Sequence, residues 1–222
     1  NLDLDIQDYV SVNFLAVADV VDLLGGIDLE LTDEEVVHMN NYCVETSEIT
    51  GKKYKKIEPE VAGTYHLNGV QAVSYSRIRY TEGGDFQRTS RQRLVIEKIA
   101  EEAKKADLST INKIIDAVFP EITTSFTSGE IVKMSAGLLQ YSIGDNEGFP
   151  MDNETPDSIP GYQGSYVVPK GLEENVIKLH KFLFPDEDYT PTDTLKEISD
   201  HIKDVTGIYP DDSEDSTEDN EE

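Results

Sequence analysis

A chain of 222 residues is long enough for one large domain or two small ones with a substantial buried core. Asp and Glu outnumber Lys and Arg by 45 to 19, for a formal net charge of −26. This balance argues against nucleic acid as a partner, because phosphate backbones need a basic surface. There is no signal peptide and no apolar run of roughly 18 residues, so the chain is not expected to span a membrane by itself.

The N-terminal part of the chain predicts a layered α/β fold. DYVSVNF (8–14) has the alternation and β-branched content of a strand, and FLAVADVVDLLGG has apolar residues at helical spacing that end at Gly25-Gly26. GIDLEL predicts a second strand. Thr32 and Glu35 then form a capping-box pattern that opens the next helix. Strand, helix and strand in this order are βαβ-like.

The rest of the chain is predicted to be mainly helical. Asn68 is the expected N-cap of one helix, YTEGG (80–84) is an expected loop, and Asp85 is the expected N-cap of a long helix. The last segment, 210–222, has eight acidic groups and no basic one, which predicts a disordered tail. Further predictions are a strand near 165–169 and helices at 109–118, 128–140, 171–184 and 192–206.

Every arginine of the chain falls within 17 positions, although the lysines are scattered: Arg77, Arg79, Arg88, Arg91 and Arg93. On the long helix, Arg88 shares a face with both Arg91 and Gln92. A helix–loop–helix turn would bring Arg77 and Arg79 to the same helix N-terminus, which itself favours anions. Because guanidinium groups bind phosphate oxygens in a bidentate way, we predict a site for an anion such as pyrophosphate. The alternative is that these arginines pair with surface carboxylates.

The segment LNGVQAVSYSRIRYTEGGDFQRTSRQ resembles the signature of the LytR-CpsA-Psr proteins, L-x-G-x-x-A-L-x-Y-x-R-x-R, a short loop, then D-x-x-R-x-x-R-Q. DYVSVNFLAVADVVDLLGGIDLEL is similar to the strand–helix–strand segment that precedes it in that family. The resemblance is strong over residues 8–100 and weaker through about 185. The matching positions are Asn13, Asp22, Gly25, Gly26, Leu67, Gly69, Gln71, Ala72, Tyr75, Arg77, Arg79, Asp85, Arg88, Arg91 and Gln92.

The resemblance implies an α/β fold, an α-β-α layered sandwich with a hydrophobic tunnel for lipid. Residues 1–209 would form the C-terminal part of one catalytic domain that lacks the family's N-terminal strands in this chain. The intact protein would be a bacterial enzyme anchored in the cell membrane and facing outside the cytoplasm. Its anchor is expected to precede Asn1, and the chain itself is expected to be soluble.

The resemblance also implies an activity and a set of site residues. Family members transfer an anionic glycopolymer, such as teichoic acid or capsular polysaccharide, from a polyprenyl-pyrophosphate carrier to peptidoglycan. Asp85 would orient an arginine or help to activate the accepting hydroxyl, and a capping role remains open for it. The predicted catalytic residues are Asp85 and Arg88, and the predicted substrate-binding residues are Arg77, Arg79, Arg88, Arg91 and Gln92.

The resemblance is incomplete in one respect. No segment matches the family's G-x-D, R-S-D and S-x-x-R-D patterns, which supply carboxylates for Mg²⁺. Mg²⁺ is therefore an implied cofactor whose ligands are expected outside these 222 residues, and the fragment alone is expected to be inactive. One alternative is a non-catalytic module that binds lipid pyrophosphate or other anions. A transcriptional regulator is a further alternative, which the net charge of −26 disfavours.

Overall fold

The computed structural model describes residues 1–81, 84–137 and 140–211, and these form two compact units. The larger unit is Ile6–Asn146, and the smaller joins Asn1–Asp5 to the chain from Glu147 onward. Most of the predicted acidic tail, from residue 212, lies outside the described residues, as do residues 82 and 83 of the predicted loop.

The larger unit carries most of the predicted elements. Their order in the chain is β1 (Val10–Val12), α1 (Phe14–Leu24), β2 (Ile27–Leu31), α2 (Asp33–Thr50), β3 (Gly63–Leu67), α3 (Gly69–Ser76), α4 (Gly84–Lys105), α5 (Leu108–Val118), a 3₁₀ turn (Phe119–Glu121), β4 (Ile122–Thr124) and α6 (Ser128–Ala136).

Strand pairing in the larger unit differs from the βαβ-like prediction. β1 pairs with β4 and β2 pairs with β3, and both pairs are antiparallel. Within the described ranges, β1 and β2 therefore lie in different two-stranded sheets, and the βαβ interpretation was wrong. The two partner strands, β3 and β4, were not predicted as strands. Pairing with a segment more than 30 residues away is a tertiary event that alternation in one strand does not encode.

Local signals fixed three helix ends as predicted, the Gly25 end of α1 and the starts of α2 and α3, whereas the cap at the start of α1 was not predicted. The side chain of Asn13 caps α1 by accepting from the Ala16 amide at 2.7 Å, and Gly25 ends that helix with φ of 95°, a left-handed conformation that suits glycine. Thr32 and Glu35 form the predicted capping box of α2. Asn68 is the N-cap of α3 as predicted, and Gln71 completes a second capping box there.

Helix α3 lies at the centre of the larger unit, where it packs against α1, α2 and α4. Its residues from Gly69 to Tyr75 are all buried. The backbone of α1 approaches so closely that a Cβ at Gly69 would collide with the carbonyl of Ala18. Around α3, the core contains Val21, Ile27, Leu29, Leu31, Val36, Met39, Cys43, Leu67, Ile78 and Val95.

The smaller unit has its own core. β5 (Asn153–Glu154) pairs antiparallel with β6 (Val168–Pro169), and α7 (Leu172–Leu183) packs against α8 (Asp193–Thr206). These elements confirm the helices predicted at 171–184 and 192–206 and the strand predicted near 165–169. No helix among the described residues of either unit is long and apolar enough to cross a bilayer.

Candidate functional site

The connection from α3 to α4 borders a cavity of about 360 Å³ in the larger unit. We call it the arginine cavity. Three of the five predicted arginines line it, together with the predicted Gln92 and four residues that were not predicted. The lining residues are Phe14, Tyr42, Ser76, Arg77, Arg79, Tyr80, Arg88 and Gln92.

Arg77 is held in place by aromatic rings and by α2. Its guanidinium carbon lies 4.8 Å from the ring centroid of Phe14 and 5.3 Å from that of Tyr42. It donates to Thr46 Oγ1 at 2.9 Å and to a carboxylate oxygen of Glu45 at 2.5 Å. Contacts of this kind orient the planar guanidinium and lower the entropy lost when it binds an anion.

Arg79 and Arg88 share one carboxylate oxygen. Asp85 Oδ1 lies 3.3 Å from Arg79 Nε and 3.2 Å from Arg88 Nη1. Arg88 Nε is buried and has no hydrogen-bond partner among the described residues. An unsatisfied buried donor on a charged group is costly, and an anion in the cavity would be a suitable partner for it.

Asp85 is not the N-cap of the long helix. The helix begins at Gly84, and Asp85 lies in its first turn with an exposed side chain. A carboxylate in this position is favoured by the partial positive charge of the helix N-terminus. The contacts of Asp85 with Arg79 and Arg88 agree with the predicted role of orienting an arginine.

Arg91 lies outside the arginine cavity. It is buried, and its Nε is 2.9 Å from Glu35 Oε1, while its other nitrogens donate to the Ile78 carbonyl at 3.3 Å and to Thr81 Oγ1 at 2.8 Å. These contacts join α4 to α2 and to the segment that carries Arg79. Arg91 therefore holds the segment between α3 and α4 in place and does not face the arginine cavity.

The alternative that the arginines pair with carboxylates is correct in part. Arg77 pairs with Glu45, and Asp85 forms ion pairs with both Arg79 and Arg88. Each guanidinium has five N–H donors, so these contacts leave donors of all three arginines for a ligand. Three guanidinium groups against two carboxylates also make the cavity locally cationic in a chain of net charge −26.

An apolar cavity of about 220 Å³ adjoins the arginine cavity and shares Phe14, Ser76 and Gln92 with it. Its other lining residues are mainly aliphatic and come from β1, α1, α3 and α4: Val12, Asn13, Val17, Val73, Val95 and Ile96. A charged cavity that continues into an apolar one suits an amphiphilic ligand with an anionic head and a hydrocarbon chain.

Four lining residues were not singled out from the sequence: Phe14, Tyr42, Ser76 and Tyr80. Tyr80 directly follows the R-I-R pattern, and this position in the sequence could have indicated that it lies at the site. Phe14 and Tyr42 lie 63 and 35 positions from Arg77, and only the packing of α1 and α2 around α3 brings their rings to it.

Two buried groups near this region are unsuited to acid–base chemistry. Burial raises the pKa of the Tyr75 hydroxyl to about 12 and the pKa of the Cys43 thiol to about 11. Both groups stay protonated at neutral pH. Cys43 is completely buried, as a small hydrophobic core residue would be.

Within the described ranges, no group of three or more His, Cys, Asp or Glu side chains could hold a metal ion. The described residues therefore do not form a Mg²⁺ site. The implied Mg²⁺ with ligands outside these residues stays a prediction.

A family model described as the LytR_cpsA_psr family matches residues 1–166. Biofilm regulatory protein A of Streptococcus mutans is 34% identical over 145 residues, which cover 64% of this chain and 32% of that protein. The polyisoprenyl-teichoic acid–peptidoglycan teichoic acid transferase TagV of Bacillus subtilis is 28% identical over 202 residues, covering 86% of this chain and 46% of TagV. The chain thus spans about a third to nearly half of the length of these relatives.

The fold is similar to that of a solved protein from Enterococcus faecalis described as a transcriptional regulator. The TM-score is 0.63 at 22% identity, and the match covers 95% of this chain and 70% of that one. At this identity the likeness concerns the fold alone. It confirms the predicted α/β fold class.

Proposed function

Because the chain belongs to the LytR_cpsA_psr family, we propose that it supplies the arginine-rich part of the active site of a glycopolymer transferase. The substrate would be an anionic glycopolymer, a teichoic acid or a capsular polysaccharide, on a polyprenyl-pyrophosphate carrier, and the acceptor would be peptidoglycan. The observation that carries the proposal is the arginine cavity, where three guanidinium groups meet beside an apolar cavity.

The two cavities match the two parts of such a donor. Arg77, Arg79 and Arg88 would bind the pyrophosphate oxygens, and Gln92, which lines both cavities, would lie at the boundary. The apolar cavity would take the first isoprene units of the carrier. The name of TagV describes a polyisoprenyl-linked substrate, which supports this assignment.

The proposed reaction is a phosphoryl-type transfer. A hydroxyl oxygen of the acceptor forms a bond to the phosphorus next to the glycopolymer, and the bridging P–O bond breaks. Polyprenyl phosphate leaves with that bridging oxygen and takes up the proton that the hydroxyl loses. Positioning and charge neutralisation supply most of the rate in such reactions, and the arginines offer both. Asp85 would keep Arg79 and Arg88 aligned.

The intact protein would work outside the cytoplasm at the cell membrane, since its proposed donor is a membrane lipid and its acceptor is cell-wall material. The residues that anchor it and those that bind Mg²⁺ are proposed to belong to the part of the protein outside this chain. Two of these similar proteins have regulatory names, but a net charge of −26 disfavours binding of this chain to DNA.

The test is a transfer assay with the intact protein, a lipid-linked glycopolymer and peptidoglycan. Arg88→Ala removes a donor that faces the cavity, and we expect the rate to fall by about 10²- to 10³-fold. Arg93→Ala is the matched control, because Arg93 lies on the same helix and does not line the cavity; its rate should stay within about threefold of wild type.

If Arg88→Ala transferred the glycopolymer at the wild-type rate, the assignment of the site to the arginine cavity would be wrong. If the wild-type protein binds the donor but transfers no glycopolymer even with Mg²⁺ supplied, the protein is a non-catalytic binding module and the transferase proposal is wrong.

A further inference from the structure

A second polar cavity, of about 470 Å³, opens beside the arginine cavity. We call it the α2 cavity. His38, Asn41, Tyr42 and Glu45 line it from one face of α2, and Tyr80 closes it from the connection between α3 and α4. Tyr42 and Tyr80 also line the arginine cavity, so the two cavities are neighbours that share two side chains.

The chemistry of the α2 cavity differs from that of its neighbour. No lysine or arginine among the described residues lines it, and Glu45 gives it a carboxylate. A second carboxylate, on Glu34, lies 3.8 Å from His38 Nε2. An anion is therefore a poor ligand for this cavity. With two tyrosines and three polar side chains in its wall, it is also a poor match for a hydrocarbon chain.

A neutral saccharide matches these groups. The C–H faces of a pyranose ring can lie on the rings of Tyr42 and Tyr80, while its hydroxyls can pair with the Asn41 amide, the Glu45 carboxylate and the His38 imidazole. The rings of His38 and Tyr80 lie 6.4 Å apart at an angle of 33°, which leaves an aromatic wall on one side of the cavity.

We propose that the α2 cavity binds the neutral saccharide that accepts the glycopolymer, with its hydroxyl directed at the arginine cavity. This rests on the proposed function. The link between the cavities is physical: Glu45 lines the α2 cavity and pairs with Arg77, and the Tyr42 ring lies under the same guanidinium. A saccharide that contacts Glu45 and Tyr42 would thus lie next to the pyrophosphate.

The experiment is a pair of titrations of the 222-residue chain, one with chitotetraose, a neutral N-acetylglucosamine tetramer, and one with inorganic pyrophosphate. Asn41→Ala removes an exposed amide that lines the α2 cavity and is not among the residues that line the arginine cavity. We expect it to weaken chitotetraose binding at least fivefold and to leave pyrophosphate binding within twofold of wild type. Asn112→Ala, an exposed asparagine of α5, should change neither.

The two titrations separate the two proposals. If wild type binds pyrophosphate but no chitotetraose at millimolar concentration, the saccharide site is wrong and the arginine site stands. If chitotetraose binds equally well to Asn41→Ala, the saccharide lies elsewhere and the α2 cavity is excluded. If wild type binds neither ligand, both proposals fail.

Discussion

Asp85 is the residue whose role the structure changes most. It was expected to cap α4, and instead it lies inside the first turn and joins two arginines. Two effects on a bound anion therefore oppose each other. Its charge repels the anion, while its contacts keep Arg79 and Arg88 in a position to bind it.

The substitution Asp85→Asn separates these effects. It removes the charge and keeps a side chain that can accept from one arginine, so pyrophosphate should bind the chain about three- to tenfold more tightly because a repulsive charge at an exposed site is lost. In the intact protein, transfer should fall, since the arginines lose their shared partner. The checks are calorimetric titration and the transfer assay. Weaker pyrophosphate binding would mean that alignment outweighs charge.

At the scale of the helix, α3 determines where the site lies. It is buried along nearly its full length, and its C-terminal end delivers Arg77 and Arg79 to the surface of the larger unit. Its first residue, Gly69, contacts α1, and the Gly69 amide donates to Asp22 Oδ1 at 2.7 Å. Several family-signature residues thus have structural roles at the start of α3, and the arginines follow at its end.

We predict that Gly69→Ala destabilises the chain by about 1 to 3 kcal/mol, because the added methyl group collides with the Ala18 carbonyl and α1 must shift. Urea denaturation measures this change. Gly129→Ala is the control: Gly129 lies in the first turn of α6 with open space around its Cβ direction, and alanine there should stabilise the helix by about 0.5 kcal/mol. Equal effects of the two substitutions would contradict the close packing of α1 on α3.

Many of the helix ends could be predicted from the sequence, because the signals that set them are local. Asn13, Thr32 and Asn68 cap the helices that follow them, and the capping residue and its partner are only three positions apart. The destination of Arg91 could not be predicted. Its spacing from Arg88 fits a shared helix face, but its partner Glu35 is 56 positions away, and only the packed structure turns it inward. The antiparallel pairing of β1 with β4 depends on a similar long-range contact.

At the scale of the molecule, the chain consists of two units, and the site described above lies within the larger one, Ile6–Asn146. The smaller unit has its own cores, and Asp3 ties its N-terminal segment to Tyr189 at 2.6 Å. The assignment of residues 1–209 to a single domain stays a prediction. Since the chain spans only about a third to nearly half of the length of these relatives, complete transfer chemistry is proposed only for the intact protein.

The proposed function depends above all on the concentration of all arginines in one region of an acidic chain. The most direct test is an isothermal titration of the 222-residue chain with inorganic pyrophosphate at low and at physiological salt. We predict saturable binding that weakens as the salt concentration rises. Arg77→Ala and Arg88→Ala should each reduce the affinity for pyrophosphate at least tenfold, and Arg93→Ala should leave it within twofold of wild type. Binding that is absent, or equally strong in all of these variants, would contradict an anion site in the arginine cavity.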